Sequence, residues 1–110
     1  MKKEPLTLVG RRLRAARLAA GVPQDQLGVA VGIDEEAASA RISRYETGVH
    51  EPAHQIVDLL AQALNVPTAY IYCADDELAD VILAWHRMSA TKRRKLSAFL
   101  KSLEPSASEG

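Results

Sequence analysis

Hydrophobic residues recur at intervals of three and four along most of the chain, which is the spacing of one face of an α-helix. The first such stretch, from about residue 8 to 20, carries Val9, Leu13 and Ala16 on that face, followed by Gly21. Its arginines at 11, 12 and 14 fall off the face. Glycine ends helices readily because it adopts the left-handed conformation at little cost. The pattern therefore predicts a first helix over residues 8–20 with a polar, basic outer surface.

Four further helices are predicted over residues 23–31, 34–47, 53–64 and 67–72, separated by glycine, asparagine and proline. In the third, Ala38, Ile42 and Tyr45 form the inward face, Asp34 is expected to cap the N-terminus, and Gly48 ends it. In the fourth, five positions are expected to be buried: Ile56, Leu59, Leu60, Ala63 and Leu64.

Beyond Cys73, the spacing of the apolar residues predicts two longer amphipathic helices over about 75–103. Their apolar positions are Leu78, Val81, Ile82 and Trp85, then Leu96, Phe99, Leu100 and Leu103. Two interpretations stay open: these stripes complete one core, or they pack against a second copy. The basic run 92–95 is either a solvated face or a DNA-backbone contact, and the tail 104–110 is expected to be disordered.

The net charge does not indicate a nucleic-acid partner, because fourteen basic and fourteen acidic residues among 110 give a formal net charge of zero. The distribution is more informative. Residues 1–20 hold six basic residues and one acidic residue, whereas residues 21–73 hold seven acidic residues and only two basic ones, Arg41 and Arg44. The single Cys73, the absence of a long apolar run and a polar N-terminus are typical of a soluble, cytoplasmic protein.

An ordered set of short motifs closely resembles the Cro and phage-repressor type of helix-turn-helix domain, also called the xenobiotic-response-element type. The resemblance covers about residues 8–72, and the set is strong because of its order, whereas each piece alone is weak. The residues that carry it are Gly10 to Arg14, Arg17, Gly21 to Leu27, Val31 to Ile33, Ile42 to Gly48, Pro52 and Leu60 to Pro67.

The resemblance implies an all-α fold: a five-helix lambda-repressor-like DNA-binding domain, at 6–73, with one or two additional C-terminal helices. It implies that the third helix lies in the major groove and that Gln24 binds a backbone phosphate. The residues that would contact bases are Ser39, Ala40, Arg41, Ser43 and Arg44.

Arginine can bind guanine O6 and N7 with two hydrogen bonds, so Arg41 or Arg44 is expected to make that contact. The alternative is that both form surface salt bridges with Glu35, Glu36 or Glu46. Arg17 and Glu46 match a pair that the family buries as an ion bridge, so their expected role is structural.

The sequence departs from the family most clearly between Gly32 and Ile42, where nine residues stand in place of a shorter connection. Three of the added region's residues are acidic, at 34–36, which is unexpected beside a phosphate backbone. The insertion either lengthens the helix away from DNA, changes how the helix meets the groove, or offers a surface to a protein partner. Two smaller departures are Pro23, which replaces a capping threonine, and Gly28, which replaces an alanine.

The sequence therefore predicts a sequence-specific regulator of double-stranded operator DNA, acting as a repressor and a homodimer, with no cofactor and no membrane contact. The competing hypothesis is a protein-interaction module of the same fold, such as an antitoxin or adaptor. Enzymatic activity is not expected, since no nucleophile motif or phosphate-binding loop is present. His50 and His54 lie four residues apart without a second spaced pair, which disfavours a metal site.

Overall fold

The computed structural model describes residues 7–105, and within that range the chain forms seven α-helices and no strand. Residue 6 of the predicted DNA-binding domain and residues 106–110 of the predicted tail lie outside the described residues. No described helix is both long and apolar enough to span a bilayer. The helices are α1 (Leu8–Ala20), α2 (Gln24–Ala30), α3 (Glu35–Thr47), α4 (His54–Ala63), α5 (Thr68–Ile71), α6 (Asp76–Arg87) and α7 (Ala90–Leu103).

The ends of α1 and α3 follow from local chemistry. Thr7 accepts a hydrogen bond from the Gly10 amide, which satisfies one of the free N–H groups at the start of α1. Gly21 and Gly48 end α1 and α3 with φ values of 70° and 83°, which favour glycine. The prediction for Asp34 is wrong in part: it occupies the N-cap position of α3, but its side chain makes no capping hydrogen bond.

The core lies where α1 to α5 converge, with Ala79 of α6 added at one edge. The inward face predicted for α3 is confirmed, because Ala38, Ile42 and Tyr45 are buried. Each helix from α1 to α5 contributes at least one fully buried large side chain: Leu13, Leu27, Ile42, Val57, Leu60 and Ile71.

The face predicted for α4 is partly wrong. Leu59 is 43% exposed and Ala63 is also exposed. Val57 and Ala61 are buried instead, together with Leu60 and Leu64. Positions 57, 60, 61 and 64 follow the three-and-four spacing of a single helix face. With six apolar residues among its ten, α4 satisfies that spacing on more than one face.

Two glycines permit close approach of α1 and α2 to α3. A Cβ at Gly28 would lie 2.5 Å from the Ala38 Cβ, so α2 and α3 touch through their backbones there. A Cβ at Gly10 would overlap the carbonyl oxygen of Glu46, and the same atom would lie 2.8 Å from the Tyr45 carbonyl oxygen. These contacts fix α3 against both α1 and α2 with little room for adjustment.

Arg12 was expected on the outer surface of α1, and that expectation is wrong. Its side chain is only 8% exposed, and its Nε donates to the Cys73 carbonyl at 2.9 Å. One guanidinium nitrogen pairs with Asp76 at 2.8 Å, and the guanidinium lies over the ring of Tyr70, 5.5 Å from its centroid. Arg12 thereby joins α1 to α5 and to the start of α6.

The two C-terminal helices add little to the core, against which Ile82 and Leu83 of α6 pack half-buried. Ala79 is the one buried residue of α6, and α7 has none among its fourteen residues. The Cα radius of gyration is 17.0 Å, with extents of 59 × 27 × 25 Å. A compact domain of this length would have a radius of gyration of about 13 Å. The molecule is therefore elongated, and α7 is poorly covered.

Candidate nucleic-acid interface

The outer side of α3 presents the residues that were expected to contact bases. Ala38, Ile42, Tyr45 and Glu46 occupy the buried side of α3. The opposite and flanking positions are exposed at Ser39, Ala40, Arg41 and Arg44 and half-buried at Ser43. At 100° per residue, Ala40 and Arg44 lie one turn apart near the centre of the exposed side. All five predicted residues are thus brought to one accessible helix surface.

Neither arginine on this surface has a partner in the part of the chain that the structure describes. No ion pair or hydrogen bond joins Arg41 or Arg44 to Glu35, Glu36 or Glu46. The surface salt bridges considered as their alternative role are therefore not formed in this structure. Both guanidinium groups keep all five donors available for a ligand.

A hydrogen-bonded network behind this surface links the first three helices. Arg17 holds the Glu46 carboxylate through two bonds, Nε to Oε2 at 2.5 Å and Nη2 to Oε1 at 3.1 Å. The Gln24 amide donates to the same carboxylate at 3.2 Å, and its oxygen accepts from the Ser39 hydroxyl at 3.3 Å. The ion pair is largely withdrawn from solvent, with side chains 12% and 4% exposed. The network orients Gln24 at the start of α2 and ties it to both ends of α3.

A groove of about 480 Å³ runs beside the network on the same face. Its walls come from α1, α2 and α3, and they mix basic, polar and apolar groups. The residues that line it are Arg14, Arg17, Leu18, Gln24, Ser43, Glu46 and Thr47. The groove continues the exposed side of α3 toward the basic helix α1, so a polyanion lying along α3 would meet positive charge there.

The acidic insertion forms a helical turn. Glu35 and Glu36 are the first two residues of α3, both exposed, and they precede Ser39 by about one turn. A second groove, of about 440 Å³, lies between α2 and this turn and is lined by Asp25, Gln26, Val29, Ala30 and Glu35. The exposed side of α3 therefore has a negatively charged border at its N-terminal end.

His54, one of the two histidines considered for a metal site, makes other contacts. The His54 ring stacks on Tyr72 at 5.8 Å, its Nδ1 lies 3.2 Å from the Tyr72 hydroxyl, and its Nε2 lies 3.5 Å from Asp58. In residues 7–105 no group of three histidine, cysteine or acidic side chains is placed to hold a metal ion. The joint between Arg12 and Asp76 was missed by sequence reasoning, since nothing local marks residues 64 positions apart as partners.

Comparison with known proteins finds similarity to a domain family and to solved structures. Residues 8–70 match the family model of a helix-turn-helix domain. The crystal structure of transcriptional regulator BswR is similar over most of the fold, with a TM-score of 0.83 and 45% sequence identity. The match covers 86% of this chain and 93% of that chain, so it includes much of the C-terminal extension. No curated protein sequence matches the chain significantly.

Proposed function

Because the chain belongs to the helix-turn-helix domain family, we propose that it is a transcriptional regulator of the Cro and phage-repressor type that reads a specific operator in double-stranded DNA. It acts in the cytoplasm as a homodimer and represses by occupying the operator. Residues 6–73 bind DNA, and residues 75–103 serve as the dimerisation element.

The observation that carries the proposal is the exposed, unpaired Arg44 near the centre of the outer side of α3. A helix laid in the major groove presents that side to the base edges. Arg44 then reaches guanine O6 and N7, while Arg41, to one side of the helix, binds guanine or a phosphate. Ala40 lies one turn before Arg44, in place to contact a thymine methyl group, and the Ser39 and Ser43 hydroxyls bind to either kind of base.

Gln24 supports this arrangement from the start of α2. One N–H of its amide is used by Glu46, which leaves a second N–H available for a phosphate oxygen. Phosphate contacts fix the register of a protein on the duplex without reading sequence. Gln24 thus sets where α3 lies, and the α3 side chains set which sequence is preferred.

Selection of bound sequences from a random duplex pool tests the proposal, followed by affinity measurements on the enriched sequence. We expect Arg44→Ala to weaken binding to that sequence by about 5- to 150-fold, equivalent to about 1–3 kcal/mol, and to affect unrelated duplexes much less. Arg87→Ala, at an exposed arginine on α6, is the matched control and should leave the affinity unchanged. No enriched motif, or unaltered binding by both Arg41→Ala and Arg44→Ala, would overturn the proposal.

A protein-interaction module is the second candidate, because the groove between α2 and Glu35 includes Val29, which is 49% exposed. An antitoxin or adaptor would use this surface for a partner. The two functions differ in their dependence on salt. Affinity for DNA falls steeply as the salt concentration rises, whereas an apolar protein interface does not weaken in that way.

A further inference from the structure

The C-terminal helices expose an unusual amount of apolar surface. Along residues 7–105, half of the large hydrophobic side chains that remain exposed lie on α6 and α7. Their side chains are 50% to 64% exposed, and Leu103 on α7 is the most exposed of them. They are Leu78 and Val81 on α6 and Phe99, Leu100 and Leu103 on α7.

These side chains form one stripe on each helix. At 100° per residue, Leu78, Val81 and Trp85 share the side of α6 that faces away from the core residue Ala79. On α7, Phe99, Leu100 and Leu103 share a side with Leu96. Isolated helices of this length are marginal in water, and α7 contributes no residue to the core of its own chain. The stripe on α7 therefore needs a partner surface to be stable.

The charges on the two helices point to what that partner is. Residues 75–80 of α6 and its N-cap contain four acidic residues and no basic one, whereas α7 contains five basic residues and no acidic one. Exposed Glu77 lies beside the α6 stripe, and exposed Lys92 and Lys95 lie on or beside the α7 stripe. Within one chain α6 and α7 scarcely touch beyond their junction, where Arg93 donates to the Trp85 and His86 carbonyls. The complementary charges are thus left for another copy.

We propose that α7 of one copy packs on α6 of a second copy, and reciprocally, so that the two apolar stripes are covered and the acidic and basic borders meet. Each copy then supplies the same surface, as a two-fold symmetric dimer requires, and the four helices form a small bundle. This inference extends the dimer of the proposed function by naming its surface, while self-association can be measured without any DNA.

Sedimentation equilibrium of the full chain tests the apolar part. We expect a dimer at micromolar concentration, and Leu100→Glu should weaken dimerisation by at least about 100-fold, because a carboxylate would be buried in an apolar interface. The core of α1 to α5 should stay folded, since α7 adds nothing to it. The inference would be overturned if the wild-type chain stayed monomeric at 100 times that concentration. It would also be overturned if the Leu100→Glu variant dimerised as tightly as the wild type.

Charge reversal tests the pairing without placing a charge in the apolar stripe. Glu77→Lys places a basic residue beside the α6 stripe, opposite the basic residues of α7, and Lys92→Glu with Lys95→Glu places acidic residues opposite the acidic Glu77. Each variant alone should dimerise about tenfold more weakly than the wild type, whereas an equimolar mixture should form heterodimers about as tightly as the wild type. Arg94→Glu with Lys101→Glu is the matched control, on the side of α7 opposite the stripe, and should dimerise normally.

The outcomes also separate this inference from DNA reading. Arg44→Ala should lose operator affinity and remain dimeric, whereas Leu100→Glu should become monomeric and keep weak binding to a half-site. If the charge-reversed variants fail to form heterodimers, or if the control pair abolishes dimerisation, the named surface is wrong even where operator binding stands.

Discussion

At the scale of single residues, Glu46 connects α3, which carries the proposed DNA-binding surface, to α1 and α2. Its carboxylate is buried beneath α3 and receives donors from Arg17 on α1 and from Gln24 on α2. The backbone carbonyl of the same residue packs against Gly10. Glu46 therefore fixes the position of α3 through its charge and through its backbone.

Removing one partner of this pair should be strongly destabilising. We expect Arg17→Ala to lower the free energy of unfolding by about 3–5 kcal/mol, because the Glu46 carboxylate would stay buried without its main donor. Arg11→Ala is the matched control, since Arg11 is also ion-paired but its side chain is 47% exposed, and it should cost at most about 1 kcal/mol. Urea unfolding followed by circular dichroism measures both. Equal losses for the two variants would show that Glu46 finds another partner or water.

At the scale of elements, one exposed carboxylate joins the C-terminal extension to α1. Asp76, in the first turn of α6, accepts from Arg11 at 2.9 Å and from Arg12 at 2.8 Å. The hydrogen bond from Arg11, followed by that from Arg12, holds the pKa of Asp76 below its usual value of 3.8. These two hydrogen bonds set how α6, and with it the exposed apolar stripe, projects from α1.

The lowered pKa gives a pH dependence with a definite sign. The stabilising contribution of Asp76 is complete above pH 3.8, where the carboxylate is ionised in both the folded and the unfolded chain. It is lost as the pH falls from there through the lower pKa of the folded state. Asp76→Asn should therefore be less stable than the wild type at pH 6, and the gap should close toward pH 3.

Glu51→Gln, in the connector before α4, is the control for this measurement, because Glu51 is exposed and its side chain has no partner among the described residues. Its stability relative to the wild type should vary little over the same pH range. Added salt should narrow the gap for Asp76→Asn at pH 6, as for other exposed ion pairs. A gap that is the same at pH 6 and pH 3 would contradict the assignment.

Element boundaries were predictable where local chemistry decides them, and burial was not predictable where distant contacts decide it. The bounds of α1 match the prediction because its periodicity stops at Gly21. The buried side of α4 was mistaken because most of its residues are apolar, so the pattern is compatible with two faces. The burial of Arg12 depends on Cys73 and Asp76, which local periodicity cannot reveal.

On the exposed side of α3, too, local features were predictable and contacts between distant residues were not. Which α3 side chains point outward follows from the helical period, once Ala38 and Ile42 are assigned to the core. Only the structure shows the hydrogen bond from Ser39 to Gln24. It also shows that, within residues 7–105, Arg41 and Arg44 form no ion pair. Likewise, an apolar stripe has the same sequence whether it covers its own core or another chain, so the exposure of α7 could not be predicted.

At the scale of the whole molecule, the charge distribution matters more than the net charge of zero. Basic α1 borders the groove beside α3, and the acidic turn at the start of α3 borders the opposite end. A duplex lying along α3 would be attracted at one end and repelled at the other. In the proposed complex the acidic turn would therefore limit general affinity for DNA without removing any contact that reads sequence.

Neutralising the acidic turn should strengthen binding to all duplexes alike. At about 10 Å in water, each carboxylate opposes a phosphate by about 0.4 kcal/mol before screening. Glu35→Gln with Glu36→Gln should therefore raise affinity by about fourfold at low salt, equally for operator and unrelated DNA, and the gain should fade as salt screens the charges. Fluorescence anisotropy titrations at several salt concentrations measure this, with Asp80→Asn, at an exposed position on the side of α6 away from its apolar stripe, as the control. A gain confined to the operator would instead mean that the turn takes part in reading bases, and unchanged affinity would mean that it points away from the duplex and is free for a protein partner.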